Sequence, residues 1–240
     1  LEPIEDENIG KKDKVISHEK FKANSSKNVI SFKYLQSTFS SIDVAKILAE
    51  HNYTAEYILS TEFDIFTFKK RYGYSKVMPI VGKVLFEHFG LDQMVEKSKL
   101  DNFINSISAC YVKEVLYHNA MHGTDVTLSV ALTIMNSDFE EKLHASKLDI
   151  LSLITSALGH DIGHPGLNNA YLMNCFSEIA VNYNDKSVLE NFHSANLFRI
   201  IKERQNNIFE KFSAYDFKTE MISCWYDKNT GEDGSLYISF

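Results

Sequence analysis

Two segments of the chain carry residue types that can bind metal ions. Residues 117–125 read YHNAMHGTD, and residues 160–166 read HDIGHPG. Neutral imidazole nitrogens suit a zinc-like ion, whereas a carboxylate oxygen can also bind a harder ion such as Mg²⁺. An adjacent His-Asp pair together with a distant histidine is therefore typical of a hydrolytic metal site.

Helices are expected to position both segments. His118 and His122 are four residues apart, so a helix would place them on one face. His160 and Asp161 follow an apolar stretch at helical spacing, residues 148–158, and are expected at the end of that helix.

Glycine and proline surround the His-Asp pair. Gly159 and Gly163 would allow other backbone segments to approach closely, because they have no side chain. Pro165 would stop the helix or start a new one. The segment is therefore predicted to turn sharply after the metal-binding pair.

The rest of the chain predicts an all-α fold. Apolar residues recur at helical spacing from about residue 42 onward, whereas alternating strand patterns are weak. Predicted apolar helix faces include Val44, Ile47 and Leu48; Val81, Val84, Leu85 and Phe89, followed by Gly90 as a stop; and Phe103, Ile104 and Ile107. We expect one compact domain of many helices.

Composition excludes several classes of function. The chain has 240 residues, 44% of them hydrophobic, and a formal net charge of −7 without a dense basic patch. Nucleic-acid binding by phosphate neutralisation is therefore not expected. No stretch of 18 apolar residues predicts a membrane span within the chain. Three cysteines without C-x-x-C spacing indicate reduced thiols in the cytoplasm.

The motifs Y-H-N-x-x-H-x-x-D-V and H-D-x-x-H-P-G-x-x-N resemble the catalytic domain of class I 3',5'-cyclic nucleotide phosphodiesterases. Similarity to that family extends upstream to residues 64–66 and 85–91, and downstream to residues 183–191. The resemblance covers roughly residues 62 to 222. It implies a compact multi-helix domain of the HD type.

The chain departs from the family pattern in two places. Phe192 stands where the family has a histidine, although His193 is kept. The match is expected to end near residue 222, before the helix whose aspartate is the fourth metal ligand, so the C-terminal helices would be missing. The expected organisation is a polar arm or linker over 1–35, the N-terminal portion of the catalytic domain over 36–222, and a divergent tail over 223–240. Aspartates considered as a replacement ligand are Asp216, Asp227 and Asp233.

The resemblance implies a role for each motif residue. The implied metal ligands are His122, His160 and Asp161. His118 would be the general acid that protonates the leaving oxygen. Three further residues are implied to support the ligands and His118 without binding the metal ions: His164, Asn169 and Glu190. Two divalent ions, Zn²⁺ and Mg²⁺ or Mn²⁺, would activate the attacking water, and no organic cofactor is implied.

Two of these neighbouring residues also have structural explanations. Ser187 and Glu190 have the spacing of a helix capping box, which would account for Glu190 without chemistry. His193 lies on an apolar stripe, so a buried, hydrogen-bonded core histidine is the expected role. Asp125 is expected to brace helices.

The function implied by the resemblance is metal-dependent hydrolysis of cyclic AMP or cyclic GMP to the 5'-monophosphate in signal transduction. The substrate would be a cyclic nucleotide, and the sequence does not indicate which one. Two alternatives stay open: a catalytically inactive truncated fragment with a binding role or no independent role, and a general HD-type metal phosphohydrolase. A homodimer stays open as well, as does attachment to the cytoplasmic face of a membrane through an upstream anchor.

Overall fold

The computed structural model describes residues 43–50 and 53–217, and within them the regular structure is entirely helical, as predicted. The expected arm over 1–35 and tail over 223–240 lie outside these residues. The α-helices in this part of the chain are α1 (Val44–Glu50), α2 (Ala55–Ile58), α3 (Ile65–Tyr72), α4 (Tyr74–His88), α5 (Lys97–Cys110), α6 (Ala120–Asn136), α7 (Phe139–Leu143), α8 (Lys147–Gly159), α9 (Asn169–Asn174), α10 (Glu178–Asn182), α11 (Val188–Lys202) and α12 (Ala214–Asp216). Two 3₁₀ turns cover Leu91–Gln93 and Arg204–Asn206.

The main core is formed where the long helices α4, α5, α6 and α8 pack together. The apolar positions at helical spacing point into this core: Val81, Leu85, Ile104 and Ile107 are all essentially inaccessible to solvent. Gly90 follows α4 with φ 68°, a left-handed conformation that glycine adopts at little cost, so the predicted stop is confirmed. None of the helices in the described ranges has the length and apolar character to cross a lipid bilayer.

Helix α11 packs closely against the end of α8. A Cβ atom at Gly159 would lie 2.9 Å from Leu197 Cδ1 and 3.2 Å from Ile162 Cδ1, so no larger residue fits without displacing them. Gly163 has φ 74° in the turn that follows. The close approach at Gly159 is thus made by the side chains of Leu197 and Ile162 and not, as was predicted, by backbone. It joins α11 to the segment that carries the His-Asp pair.

A second, smaller core lies under α9, α10 and the start of α11. We call it the satellite cluster; its buried members are Leu172, Ala180, Val188 and Leu189. These helices contact one another, and α11 continues from the cluster into the main core through Leu197 and Ile200.

Two local predictions are wrong. Helix α6 starts only at Ala120, because Asn119 has an extended backbone and caps the helix, so His118 precedes the helix and does not share a face with His122. Ser187 is the residue before α11, but its backbone is left-handed (φ 39°) and its side chain makes no capping hydrogen bond. The predicted capping box with Glu190 is therefore absent.

Candidate metal centre

The start of α6 and the end of α8 meet to form the candidate centre. The Asn119 side-chain oxygen accepts a hydrogen bond from the Met121 amide, and its nitrogen donates to the Val115 carbonyl at 2.8 Å. One side chain thus fixes both the helix start and the loop that precedes it. Helix α8 has a capping box between Ser146 and Asp149 at its start and ends at Gly159, which leaves His160 and Asp161 just beyond its last turn.

Three potential ligand atoms form a compact triangle. His122 Nε2 lies 3.2 Å from His160 Nε2 and 3.3 Å from Asp161 Oδ2, and His160 Nε2 lies 3.4 Å from the same oxygen. Ligand atoms of a tetrahedral site with metal bonds of about 2.0–2.2 Å are about 3.3–3.6 Å apart. The triangle therefore has the size of one face of a metal tetrahedron, and these residues fit a divalent ion.

The protonation of the group also suits a cation. His160 Nδ1 lies 2.9 Å from the Ala157 carbonyl, which can only accept, so this nitrogen carries a proton. A metal ion that replaces a proton on Nε2 would therefore meet a lone pair directed into the triangle. Burial raises the pKa of Asp161, but its contacts with His122 and His160 outweigh burial and hold the pKa well below its ordinary value. Asp161 is therefore an anion at neutral pH.

A second group of potential ligands uses the other side of Asp161, together with His164 and His193. His193 is buried, its Nδ1 lies 2.8 Å from the Ile162 carbonyl, and its Nε2 is 3.6 Å from Asp161 Oδ1 without a hydrogen-bond partner. Burial lowers the pKa of His193, so the neutral ring directs a lone pair at a carboxylate. A cation between the two would satisfy both groups.

His164 has the opposite tautomer. Its Nδ1 accepts a hydrogen bond from the Gly166 amide at 3.0 Å, so in the neutral ring Nε2 carries the proton. Burial lowers the pKa of His164 to about 4. His164 is thus suited to donate a hydrogen bond from Nε2, for example to an anionic oxygen, rather than to bind a metal directly.

His118 lies beside the group on the loop before α6. Its ring stacks on His164 with centroids 4.0 Å apart and an interplanar angle of 14°, and its centroid is 5.5 Å from that of His122. The Tyr117 ring also packs against His122, with ring centroids 4.6 Å apart, although Tyr117 is 65% exposed. The predicted general acid therefore lies next to the ligand triangle with its ring plane fixed by a neighbour.

Asn169 and Glu190 form a separate contact. The Asn169 side-chain nitrogen donates to Glu190 Oε2 at 3.0 Å, and its oxygen accepts from the Leu189 amide at 2.9 Å. Asn169, which lies in α9, thus caps the start of α11 in place of Ser187. Neither residue belongs to the two potential metal groups in the described residues.

Of the aspartates considered as a fourth ligand, Asp216 belongs to neither potential metal group in the described residues. Asp216 accepts a hydrogen bond from the Ser213 hydroxyl in the capping box of α12. Asp125, which was expected to brace helices, is exposed on α6. Asp227 and Asp233 lie outside the described residues. His193 was predicted as a buried, hydrogen-bonded core residue, and its position facing Asp161 was missed. The available signal was that the family pattern has a pair of histidines at positions 192 and 193, of which this chain keeps His193.

Comparison with known proteins confirms the resemblance. Residues 117–225 match the family described as 3'5'-cyclic nucleotide phosphodiesterase. The 3',5'-cyclic-nucleotide phosphodiesterase regA of Dictyostelium discoideum is 34% identical over 211 residues, which are 84% of this chain and 26% of that protein. The cGMP-specific 3',5'-cyclic phosphodiesterase alpha of Plasmodium falciparum is 37% identical over 142 residues, which are 59% of this chain and 14% of that protein.

A solved structure gives the same fold. The phosphodiesterase domain of the RhoPDE fusion protein from the choanoflagellate Salpingoeca rosetta aligns with a TM-score of 0.58 and 27% sequence identity, covering 75% of this chain and 53% of that chain. The chain therefore spans about half of that solved domain, and 26% or less of the two curated relatives above.

Proposed function

Since residues 117–225 belong to the 3',5'-cyclic nucleotide phosphodiesterase family, we propose that this chain binds divalent metal and hydrolyses cyclic nucleotides to 5'-monophosphates. The observation that carries the proposal is the triangle of His122, His160 and Asp161, whose ligand atoms are 3.2–3.4 Å apart. Three protein ligands are also the number that catalytic zinc sites keep, with the remaining position left for water or substrate.

The metal set that we propose is Zn²⁺ in the triangle and Mg²⁺ or Mn²⁺ on the other side of Asp161. Two imidazoles and one carboxylate suit Zn²⁺. A site that leaves more coordination positions to water suits Mg²⁺ or Mn²⁺. Bound metal would supply charge neutralisation of the phosphate and an acidified water. Asp161 can serve both sites because its two oxygens face the two groups of potential ligands.

His118 would protonate the leaving O3' of the cyclic phosphate. It lies at the edge of the ligand group, and its stack on His164 restricts the ring to one plane. A fixed acid close to the leaving oxygen contributes through both proton transfer and orientation. His164 would support this step by holding His118 and by donating from Nε2.

Asn169 and Glu190 would support the site without binding the metal ions themselves. Their hydrogen bond connects α9 to the first turn of α11, the helix that also carries His193. In this proposal the pair keeps α11, and therefore His193, in place against Asp161.

Hydrolysis of cyclic AMP and cyclic GMP by the 240-residue chain tests the proposal. The reaction is measured with Mg²⁺ and trace Zn²⁺ for the wild type and for Asp161→Asn, which keeps the shape but removes the charge. The matched control is Asp138→Asn, because Asp138 is an exposed carboxylate beyond the far end of α6. We expect turnover in the wild type and the control, and a loss of at least about 100-fold in Asp161→Asn, equivalent to about 2.7 kcal/mol of barrier.

Three results would contradict the proposal. Equal turnover in all three proteins would show that hydrolysis does not use Asp161. Metal binding without any turnover by the folded wild-type chain would assign the alternative role, a non-catalytic metal-binding part of a phosphodiesterase. Preference for nucleoside monophosphates or triphosphates over cyclic nucleotides would assign a general phosphohydrolase.

The proposal extends to the cellular setting. Cys110 and Cys175 are free thiols, which supports a reducing compartment such as the cytoplasm. Burial raises the pKa of Cys110 to about 12, so this thiol stays protonated and resists oxidation. A homodimer would be detected by the mass of the purified chain in light scattering.

A further inference from the structure

The end of α8 leaves one backbone carbonyl to be satisfied from outside the helix. In a regular α-helix the Ile162 amide would donate to the Leu158 carbonyl. Here it donates to the Gly159 carbonyl at 3.2 Å, so the Leu158 carbonyl does not receive this hydrogen bond. The hydroxyl of Tyr111 takes this place and donates to the Leu158 carbonyl at 3.0 Å. The helix end is thus completed by a side chain from the end of α5.

The same hydroxyl also contacts the metal-binding segment itself. The Asp161 amide lies 3.4 Å from the Tyr111 oxygen, which can accept its hydrogen bond. Leu158 precedes His160 by two residues and Asp161 follows it directly. A single hydroxyl therefore bonds to the backbone both before and after His160. Burial raises the pKa of Tyr111 well above its ordinary value, so the hydroxyl keeps its proton at neutral pH.

Tyr111 meets the other metal-binding segment at Gly123. A Cβ atom at Gly123 would lie 2.5 Å from the Tyr111 hydroxyl oxygen and 2.7 Å from Tyr111 Cζ. Gly123 directly follows His122 in α6 and is buried. The tyrosine therefore fills the space between the start of α6 and the end of α8, and it can do so only because residue 123 has no side chain.

We propose that Tyr111 is a positioning residue of the metal centre, which sets the separation between His122 on α6 and the His160–Asp161 pair after α8. Its hydroxyl fixes the backbone around His160, and its ring fixes the distance to α6 at Gly123. It does not touch the metal or the substrate. This assignment rests on the metal binding in the proposed function.

The geometry makes the predicted effect specific to metal affinity. A triangle of ligand atoms 3.2–3.4 Å apart accepts an ion only while both segments keep their separation. Residues that orient metal ligands from behind typically change metal affinity by roughly 10- to 100-fold when they are replaced. An ordinary core tyrosine would change the stability of the fold and leave the affinity unchanged.

Mn²⁺ binding to the 240-residue chain tests the assignment. The chain is stripped of metal, and its Mn²⁺ dissociation constant is measured by equilibrium dialysis for the wild type, Tyr111→Phe and Tyr72→Phe. The matched control Tyr72→Phe removes a hydroxyl that donates to the Ile47 carbonyl at 3.3 Å, between α3 and α1. We expect at least about 10-fold weaker binding for Tyr111→Phe and no change for Tyr72→Phe.

Gly123→Ala gives an independent readout. The added methyl group would displace the Tyr111 hydroxyl, so Mn²⁺ binding should weaken although no ligand is altered. Because both substitutions act through the same hydroxyl, the double variant should lose less than the product of the two single losses. Fully multiplicative losses would contradict the shared mechanism.

The outcomes separate the two proposals. If Tyr111→Phe lowers the stability against urea but binds Mn²⁺ as tightly as the wild type, Tyr111 is a core residue and this assignment is wrong, while the proposed function stands. If the folded wild-type chain binds no Mn²⁺, the proposed function fails, and this assignment fails with it.

Discussion

The two apolar cores differ in size and in the parts of the site that they hold. The main core joins long helices, among them α6 and α8, and places the three ligand atoms within 3.4 Å of one another. The satellite cluster has four buried members and places the Asn169–Glu190 pair. Regions with few buried apolar contacts open at lower free energy than large cores. The three potential metal ligands are thus built on the larger core, and the Asn169–Glu190 pair on the smaller one, which is expected to open more easily.

Removing a side chain from the main core should have the largest effect. Ile154 in α8 is completely buried, and Ile154→Ala should lower the free energy of unfolding by about 2–5 kcal/mol because it leaves a cavity among long helices. Urea unfolding followed by circular dichroism measures the change. A loss below about 1 kcal/mol would mean that α8 is not central to the fold.

The equivalent change in the satellite cluster should be smaller and local. Leu172→Ala should cost about 2 kcal/mol, the low end for such substitutions, because a small cluster near the surface can collapse around the gap. Hydrogen exchange should accelerate in residues 169–190 and stay slow in α8. Equal acceleration in α8 would show that the two cores unfold as one cooperative unit.

A single hydrogen-bonding residue should matter less again. Asn169→Ala removes the acceptor of the Leu189 amide and the donor to Glu190, and should cost about 1 kcal/mol. The neighbouring Asn168 caps its own helix α9 and serves as the control. Only Asn169→Ala should speed hydrogen exchange at Leu189, measured by NMR. Identical exchange in both variants would show that α11 does not need a cap from α9.

A separate expected effect is the pH dependence of the metal-free protein. The pKa of His164 is lowered to about 4, so between this value and its ordinary pKa near 6.5 the unfolded chain binds a proton that the folded chain does not. The free energy of unfolding should therefore decrease as the pH falls from 7 to 5. His164→Gln should reduce that decrease in urea titrations with EDTA. An unchanged slope would mean that other groups cause it.

Local apolar patterns predicted the helices, whereas the resemblance to the phosphodiesterase family implied the residues of the triangle. Apolar spacing identified α4, α5 and α8, and the motif residues His122, His160 and Asp161 lie together. The Tyr111 contacts could not be predicted. Tyr111 reads as one more apolar position, and its hydroxyl has a role only after the Leu158 carbonyl and Gly123 are brought together by the fold.

The start of α11 shows a second limit of local patterns. Ser187 and Glu190 have the spacing of a capping box, but the left-handed backbone of Ser187 leaves its side chain without a capping hydrogen bond. Asn169, 20 residues earlier than Leu189, caps the helix instead. A contact between distant segments replaced a local one, and a single sequence does not reveal such an exchange.

The contact of Leu197 with Gly159 also restricts how α11 can move. Because Leu197 fills the space at Gly159, sliding of α11 across the end of α8 would require this contact to break, whereas rotation about the contact would keep it. Glu190 is seven residues away, about 10 Å along the helix. A rotation of about 10° would therefore displace Glu190 by about 2 Å while Leu197 stays in place. If α9 and α10 open, α11 would rotate about its contact with Gly159, and Glu190 would move relative to His160 and Asp161.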